Sequence, residues 1–286
     1  GGDTRPIGNP VVGAALSTAK LKGITLYEPG ALTLVAQAGT PVADIEKALA
    51  KENQRLAFEP MDHRALLGTK GSPTIGGIVA ANVSGPRRVA VGACRDHMLG
   101  VRFVDGRGTV IKNGGRVMKN VTGYDLVKLL TGSYGTLGVL SEVSLKVLPR
   151  PDTSATISAA IDDDARAVAA MSAALGSPFE VSGAAHDPAK GQTHLRIEGF
   201  TGSVAYRSEQ LSKLLGPFGT TSISETQESE AIWTAIRDVT PLTDQDGDVW
   251  RVSLKPSDAP AAVAVLSKKG ALYDWGGGLI WVLTTA

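Results

Sequence analysis

From Pro73 to Arg88 the chain reads Pro-Thr-Ile-Gly-Gly-Ile-Val-Ala-Ala-Asn-Val-Ser-Gly-Pro-Arg-Arg, with glycines paired at Gly76 and Gly77 and almost no side-chain bulk. Small residues of this kind let backbone approach a flat or anionic ligand closely and donate N–H groups to it. The same composition also fits a tight turn between packed elements. A second stretch runs Val117-Met118-Lys119-Asn120-Val121-Thr122-Gly123-Tyr124-Asp125-Leu126 and continues through Gly132-Ser133-Tyr134-Gly135-Thr136-Leu137-Gly138-Val139-Leu140. Its glycines at 132, 135 and 138 match neither the dinucleotide G-x-G-x-x-G spacing nor a P-loop, so neither a nicotinamide Rossmann site nor an NTPase is supported. A Gly-rich hairpin beside a helix is the structural alternative.

The cations nearest these stretches are Arg87, Arg88, Arg95 and Lys119. They could match the charge of a phosphate or carboxylate, or they could form solvated or interdomain salt bridges. The histidines are His63, His97, His186 and His194, none at a short helical metal-ligand spacing. His186 and His194 have Pro188 and Gly191 between them, which predicts a loop, and no metal site is expected. Cys94 is the single cysteine, so the 286 residues hold no internal disulfide and no cysteine-based zinc or Fe–S site. Cys94 reads as a small packing residue, and a reducing compartment follows from such cysteine use. Lys and Arg number 29 against 28 Asp and Glu, a balance that argues against nucleic-acid binding through a general basic field. No apolar run reaches the roughly 20 residues that span a bilayer.

The elements that must position these residues are legible in outline. Leu32 to Ala38 is an apolar run, after which Thr40 is expected to cap a helix with Pro41 at its first position. Val42, Ile45, Ala48 and Leu49 share one face of that helix. Val101 to Val104, the turn Asp105-Gly106-Arg107-Gly108, and Val110-Ile111 read as a hairpin. Asp125 to Leu130 reads as a short helix, and Val139, Val143, Leu145 and Val147 as one face of a strand. Pro149-Arg150-Pro151 resists helix and marks a linker, giving domains 1–150 and 151–286. Beyond it, strands are expected at Thr156–Ile161, His194–Phe200, Thr221–Ser224, Trp250–Leu254, Ala271–Trp275 and Leu279–Leu283. Helices are expected from Asp162-Asp163-Asp164 to Leu175, at Val204–Leu215, at Glu228–Asp238 and at Ala259–Ser267. A sheet with helices on one face fits that order.

Taken together and in order, these stretches from Gly1 to about Arg150 resemble the FAD domain of the vanillyl-alcohol-oxidase type (PCMH-type), found in D-lactate, 2-hydroxyglutarate and glycolate oxidoreductases. Phe58-Glu59-Pro60, Ser84-Gly85-Pro86-Arg87-Arg88, Val117 to Val121 and Gly123 to Leu126 point within it to the FAD-binding E subunits of bacterial glycolate oxidase. The fold class implied is α+β: a PCMH-type FAD-binding domain, then a ferredoxin-like α+β cap domain. Gly1-Gly2-Asp3-Thr4 resembles the tail of the family's pyrophosphate loop, which implies that the first subdomain lies upstream of Gly1. FAD is the cofactor implied. Its binding residues would be Gly1, Gly2, Asp3, Thr4, Pro73, Thr74, Ile75, Gly76, Gly77, Ala81, Asn82, Ser84, Gly85, Arg95, Gly138 and Val139. No catalytic residue and no site of covalent flavin attachment is nominated.

The resemblance implies oxidation of a 2-hydroxy acid, glycolate being the example, with electrons leaving to a second flavoprotein and an Fe–S subunit. The histidine pair of the family's catalytic branch is missing here, so a structural or electron-relay subunit remains an alternative. A stand-alone FAD-linked oxidase of another alcohol is a further one. The expected location is cytoplasmic, or peripheral to the inner membrane through partners.

Overall fold

The computed structural model describes Gly13 and residues 16–116, 123–266 and 268–285, the side chain of Lys268 excepted. Two compact units emerge, Gly1–Gly85 with Gly92–Arg150, and Pro86–Val91 with Pro151–Ala286. The division at Arg150 falls in the proline pair. The transfer of Pro86–Val91 to the second unit has no counterpart in the sequence reading, which kept 1–150 whole.

In the first unit, β1 (Ile24–Glu28) pairs with β2 (Thr33–Gln37), and α1 (Val42–Ala50) follows. Short pieces come next: β3 (Gln54–Arg55), α2 (Arg64–Leu67) and α3 (Ile75–Ala80). One further helix, α4 (Arg88–Val91), belongs to the second unit. The first unit resumes with β4 (Met98–Val104), β5 (Val110–Gly114), α5 (Leu126–Leu130), β6 (Val139–Lys146) and β7 (Leu148–Pro149). A five-stranded antiparallel sheet has the order β1-β2-β6-β4-β5, and β3 pairs with β7. Val42, Ile45 and Leu49 of α1 are buried with Leu34, Ala36, Val143 and Leu145 of the sheet, and Ile75, Ile78 and Val79 of α3 join the same core.

Two local expectations need correcting. Thr40 does not cap α1, whose N-cap is Pro41. Its hydroxyl instead donates to the Gln37 carbonyl (2.7 Å) and accepts from the Gly23 N–H (2.9 Å), tying the end of β2 to the chain before β1. Val139 does not share a face with Val143 and Leu145. The β4–β6 register shifts between Arg102 and Phe103, so Leu140 turns into the core and Val139 faces outward. An extra residue in one strand reverses the facing of everything beyond it.

The second unit comprises β8 (Thr153–Ala160), α6 (Asp164–Leu175), β9 (Gly183–Asp187), β10 (Gln192–Gly199), α7 (Thr201–Leu215), β11 (Thr221–Glu225), α8 (Thr226–Arg237), β12 (Asp248–Ser253), α9 (Ala259–Val265), β13 (Lys268–Asp274) and β14 (Leu279–Thr284). The sheet is antiparallel with the order β11-β8-β10-β9-β13-β14-β12. Ala155, Ile157 and Ala159 of β8 meet Ala167, Met171 and Leu211 of α6 and α7 in one core. Alternation along β8 puts Thr156 on the other face. There its hydroxyl accepts from the Trp233 indole N–H (2.8 Å) and lies 2.7 Å from the Ser229 hydroxyl, both of α8. Helices therefore cover both faces, not one. His194 lies in β10, as its alternation predicted, and the loop expected from Pro188 and Gly191 is the hairpin turn to β9, which holds His186 in a strand the sequence reading did not foresee.

Candidate functional site

The candidate residues gather because α3 is seated from both ends by backbone hydrogen bonds. At its start, Ile75 N–H donates to Thr40 O (2.9 Å), Gly76 N–H to Ala38 O (2.8 Å), and Val42 N–H to Pro73 O (2.9 Å). Thr74 is the N-cap, its hydroxyl accepting from Gly77 N–H at 3.3 Å. At its end, Gly132 N–H donates to Val79 O (3.0 Å) and Tyr134 N–H to Ala80 O (2.8 Å). These close carbonyls that a helix C-terminus leaves open. The two Gly-rich stretches are thereby joined, a link that their separation in sequence conceals.

Gly76 and Gly77 differ in what they face. A Cβ on Gly76 would lie 2.7 Å from both the Cβ and the carbonyl oxygen of Ala38, so glycine there allows helix and strand to meet. Gly77 is half-buried. Asn82 takes the left-handed conformation (φ 49°), which asparagine tolerates better than most residues. Its Oδ1 accepts from Arg95 N–H at 2.9 Å. Ser84 Oγ donates to Asn82 O (3.2 Å) and accepts from Cys94 N–H (2.9 Å), while Gly85 N–H donates to Phe58 O (2.9 Å). Asn82, Ser84 and Gly85 thus hold a bent, rigid backbone segment against the Cys94–His97 turn.

That turn is fixed electrostatically. Lys128 Nζ donates to Arg95 O (2.6 Å) and pairs with Asp96 Oδ1 (3.3 Å), and Asp96 Oδ2 accepts from Ala93 N–H (2.9 Å). Burial opposes ionisation of Asp96, but the Ala93 and Lys128 hydrogen bonds hold its carboxyl below the usual range. Burial pushes the Cys94 thiol far up, so it packs and does not react. Phe58 was legible as part of a family motif but not as the partner of Gly85, and Lys128 was not singled out in the sequence, because its amine bonds to a carbonyl remote in the chain, Arg95 O.

Gly138 opens β6, and a Cβ there would lie 2.7 Å from Val104 O. Beside it, Val139, Val104 and Val110 are cross-strand neighbours, and Val110, Tyr134 and Leu137 are exposed. Among the described residues the N–H groups of Gly135, Leu137 and Gly138 make no backbone hydrogen bond. Open N–H groups beside an apolar surface suit a ligand that is part phosphate and part aromatic ring. The residues present therefore fit a flavin dinucleotide.

Not every candidate joins this cradle. Gly1, Gly2, Asp3 and Thr4, together with Lys119 and the Val117–Val121 motif, lie outside the described residues. Arg87 belongs to the second unit, where its Nε and Nη2 each meet Glu198 at 2.9 Å. Among the described residues no group of three or more His, Cys, Asp or Glu could hold a metal, and no helix is long and apolar enough to cross a membrane.

Comparison with known proteins agrees with this reading of the first unit. Residues 1–114 match the family model described as FAD binding domain. The chain is 38% identical over 285 residues to glycolate oxidase subunit GlcE of Escherichia coli, covering 98% of this chain and 73% of that protein. It is 35% identical over 126 residues to glycolate oxidase subunit GlcD of Bacillus subtilis, covering 44% of this chain and 25% of that one. With mitochondrial D-2-hydroxyglutarate dehydrogenase of Rattus norvegicus the identity is 36% over 154 residues, 53% of this chain and 28% of that one. A solved alkyldihydroxyacetonephosphate synthase shares the fold, with a TM-score of 0.68 at 15% identity over 94% of this chain and 58% of that one.

Proposed function

We propose, from the premise that this chain belongs to the glycolate oxidase GlcE family of FAD-linked oxidoreductase subunits, that it is the flavin-binding subunit of a 2-hydroxy-acid oxidoreductase acting on glycolate. The observation that carries the reading is the α3 seat, where Gly132 and Tyr134 lock the second Gly-rich stretch onto the helix that begins at Thr74. In this reading the first unit holds FAD and the second is the cap domain. Backbone from Thr74 to Gly77 and from Asn82 to Gly85 would approach the flavin, with Pro73, Ile75 and Ala81 fixing its path. The Gly138-Val139 corner would lie along it, and Arg95 would offer positive charge to its phosphates. Gly1 to Thr4 would complete the pyrophosphate contacts. Bound flavin supplies the two-electron acceptor for hydride from the hydroxyl-bearing carbon. The chain's own task is to hold that ring rigidly and to exclude water from one side of it.

The single cysteine leaves onward electron transfer to partners, a second flavoprotein and an Fe–S subunit. A cytoplasmic setting, peripheral to the inner membrane through those partners, belongs to the same reading. No residue is evident for covalent attachment, so FAD is held non-covalently. Acid precipitation of the purified protein is expected to release the yellow chromophore into the supernatant. Flavin retained in the pellet would overturn non-covalent binding, and a colourless protein that takes up no added FAD would overturn the reading.

A further inference from the structure

We propose that Arg88, stacked on Trp275 in the second unit, is a receptor for the carboxylate of a small organic acid. The two adjacent arginines have different fates. Arg87 is spent on Glu198 in a two-pronged ion pair. Arg88 has its guanidinium carbon 4.5 Å from the centre of the Trp275 ring, and among the described residues no carboxylate pairs with it. The interaction with the indole engages the cation through the ring's face, and among the described residues no hydrogen-bond acceptor meets the guanidinium N–H fork. That fork matches a carboxylate in two parallel hydrogen bonds.

Two further observations point to an anion. Arg251 lies 5.2 Å from the same ring, so the two guanidinium carbons are less than about 10 Å apart. Two cations gathered at one indole make this a locally positive patch of the second unit. The indole that organises them is held at a backbone cost. Trp275 has φ 53°, an outlier for a bulky residue, and it is followed by Gly276 and Gly277 at 67° and 100°. Asp274 secures the turn by accepting from Trp275 N–H at 2.7 Å. A Cβ on Gly276 would come within 2.5 Å of Leu175 Cδ1, so the turn is seated against α6. Trp275 is only partly buried, so core filling does not account for the strain.

Glycolate as the probe rests on the hydroxy-acid reading; the site itself needs no flavin. Isothermal titration of the purified chain with glycolate is compared with ethylene glycol, which has the same size and no charge. Binding of glycolate and not of ethylene glycol is expected, weakened about tenfold to a hundredfold in R88Q. Flavin content of R88Q should equal that of the parent, which separates failure of this site from failure of the flavin reading. In the unmutated protein, glycolate should protect Arg88 from phenylglyoxal while leaving exposed Arg107 reactive, as mapped by mass spectrometry. That second measurement holds even if R88Q folds poorly. Equal affinity in R88Q and parent, no glycolate binding at all, or modification of Arg88 unaffected by glycolate would each overturn the proposal.

Discussion

At the scale of single residues, the paired glycines of α3 separate packing from binding. Gly76 N–H is bonded to Ala38 O, and its Cα faces the Ala38 side chain with no space for a methyl group. Gly76→Ala should therefore destabilise the first unit by about 1–3 kcal/mol, the cost of overpacking a close contact. Gly77 is half-buried, and its N–H donates to the Thr74 hydroxyl. Gly77→Val should leave most of the fold intact and lower flavin occupancy, since its side chain would fill space that close backbone approach needs. Thermal melts and the flavin-to-protein absorbance ratio of both variants check this. Equal flavin content in soluble Gly77→Val and parent would remove Gly77 from the site, and an unchanged melt for Gly76→Ala would contradict the packing assignment.

At the scale of elements, the β8–β10 pairing carries a built-in pH dependence. His194 of β10 places Nδ1 2.8 Å from the Ser158 hydroxyl of β8, and burial, against the pull of nearby Asp187, pushes its pKa down to about 4. The folded state thus prefers neutral imidazole while the unfolded chain protonates near its ordinary value of about 6.5. Stability from this group is full above that value and is lost as pH falls toward 4, a few kcal/mol at most. His194→Gln should flatten the decline in melting temperature between pH 6.5 and 4; an equal decline in both proteins would exclude His194 as its source. Such a pairing was half legible beforehand. Alternating residues from His194 onward marked β10, and Asp163 was found capping α6 where the acidic run predicted a helix start, Asp163 Oδ1 accepting from Arg166 N–H at 2.7 Å. β9 was missed because Gly183-Ala184-Ala185 carries little strand propensity, and its burial is tertiary. The bulge in β6 was missed for a related reason: hydrophobic alternation cannot show where a partner strand slips. Within the cradle, Thr74, Asn82, Ser84 and Gly85 were legible from composition. The clamps from the Phe58 carbonyl and the Gly132 N–H were not, since a backbone carbonyl or N–H leaves no mark in the residue type that carries it, and the Lys128 amine bonds to Arg95 O, a partner that only the fold brings near.

At the scale of the whole molecule, the two units carry different candidate chemistry. The described residues offer a hydrogen-bonded Gly-rich seat around α3 in the first unit and an arginine stacked on a strained indole in the second, but no three-residue His, Cys, Asp or Glu cluster. One cysteine in the sequence provides no Fe–S ligation. In the proposed reading, electrons taken from a hydroxy acid pass to an acceptor on another chain. Trp250 is exposed on β12, which is an edge strand of its sheet, and exposed aromatics are frequent anchors at protein interfaces. The expectation is that the protein, expressed alone and supplied with FAD, oxidises glycolate slowly in a dye-linked assay, and that co-expression with its partner subunits raises the rate at least tenfold. The flavin count per complex tells which subunits carry cofactor and so separates a catalytic role from electron relay. If the lone chain turns over at the rate of the complex, the dependence on partners is wrong and a stand-alone FAD-linked oxidase takes its place.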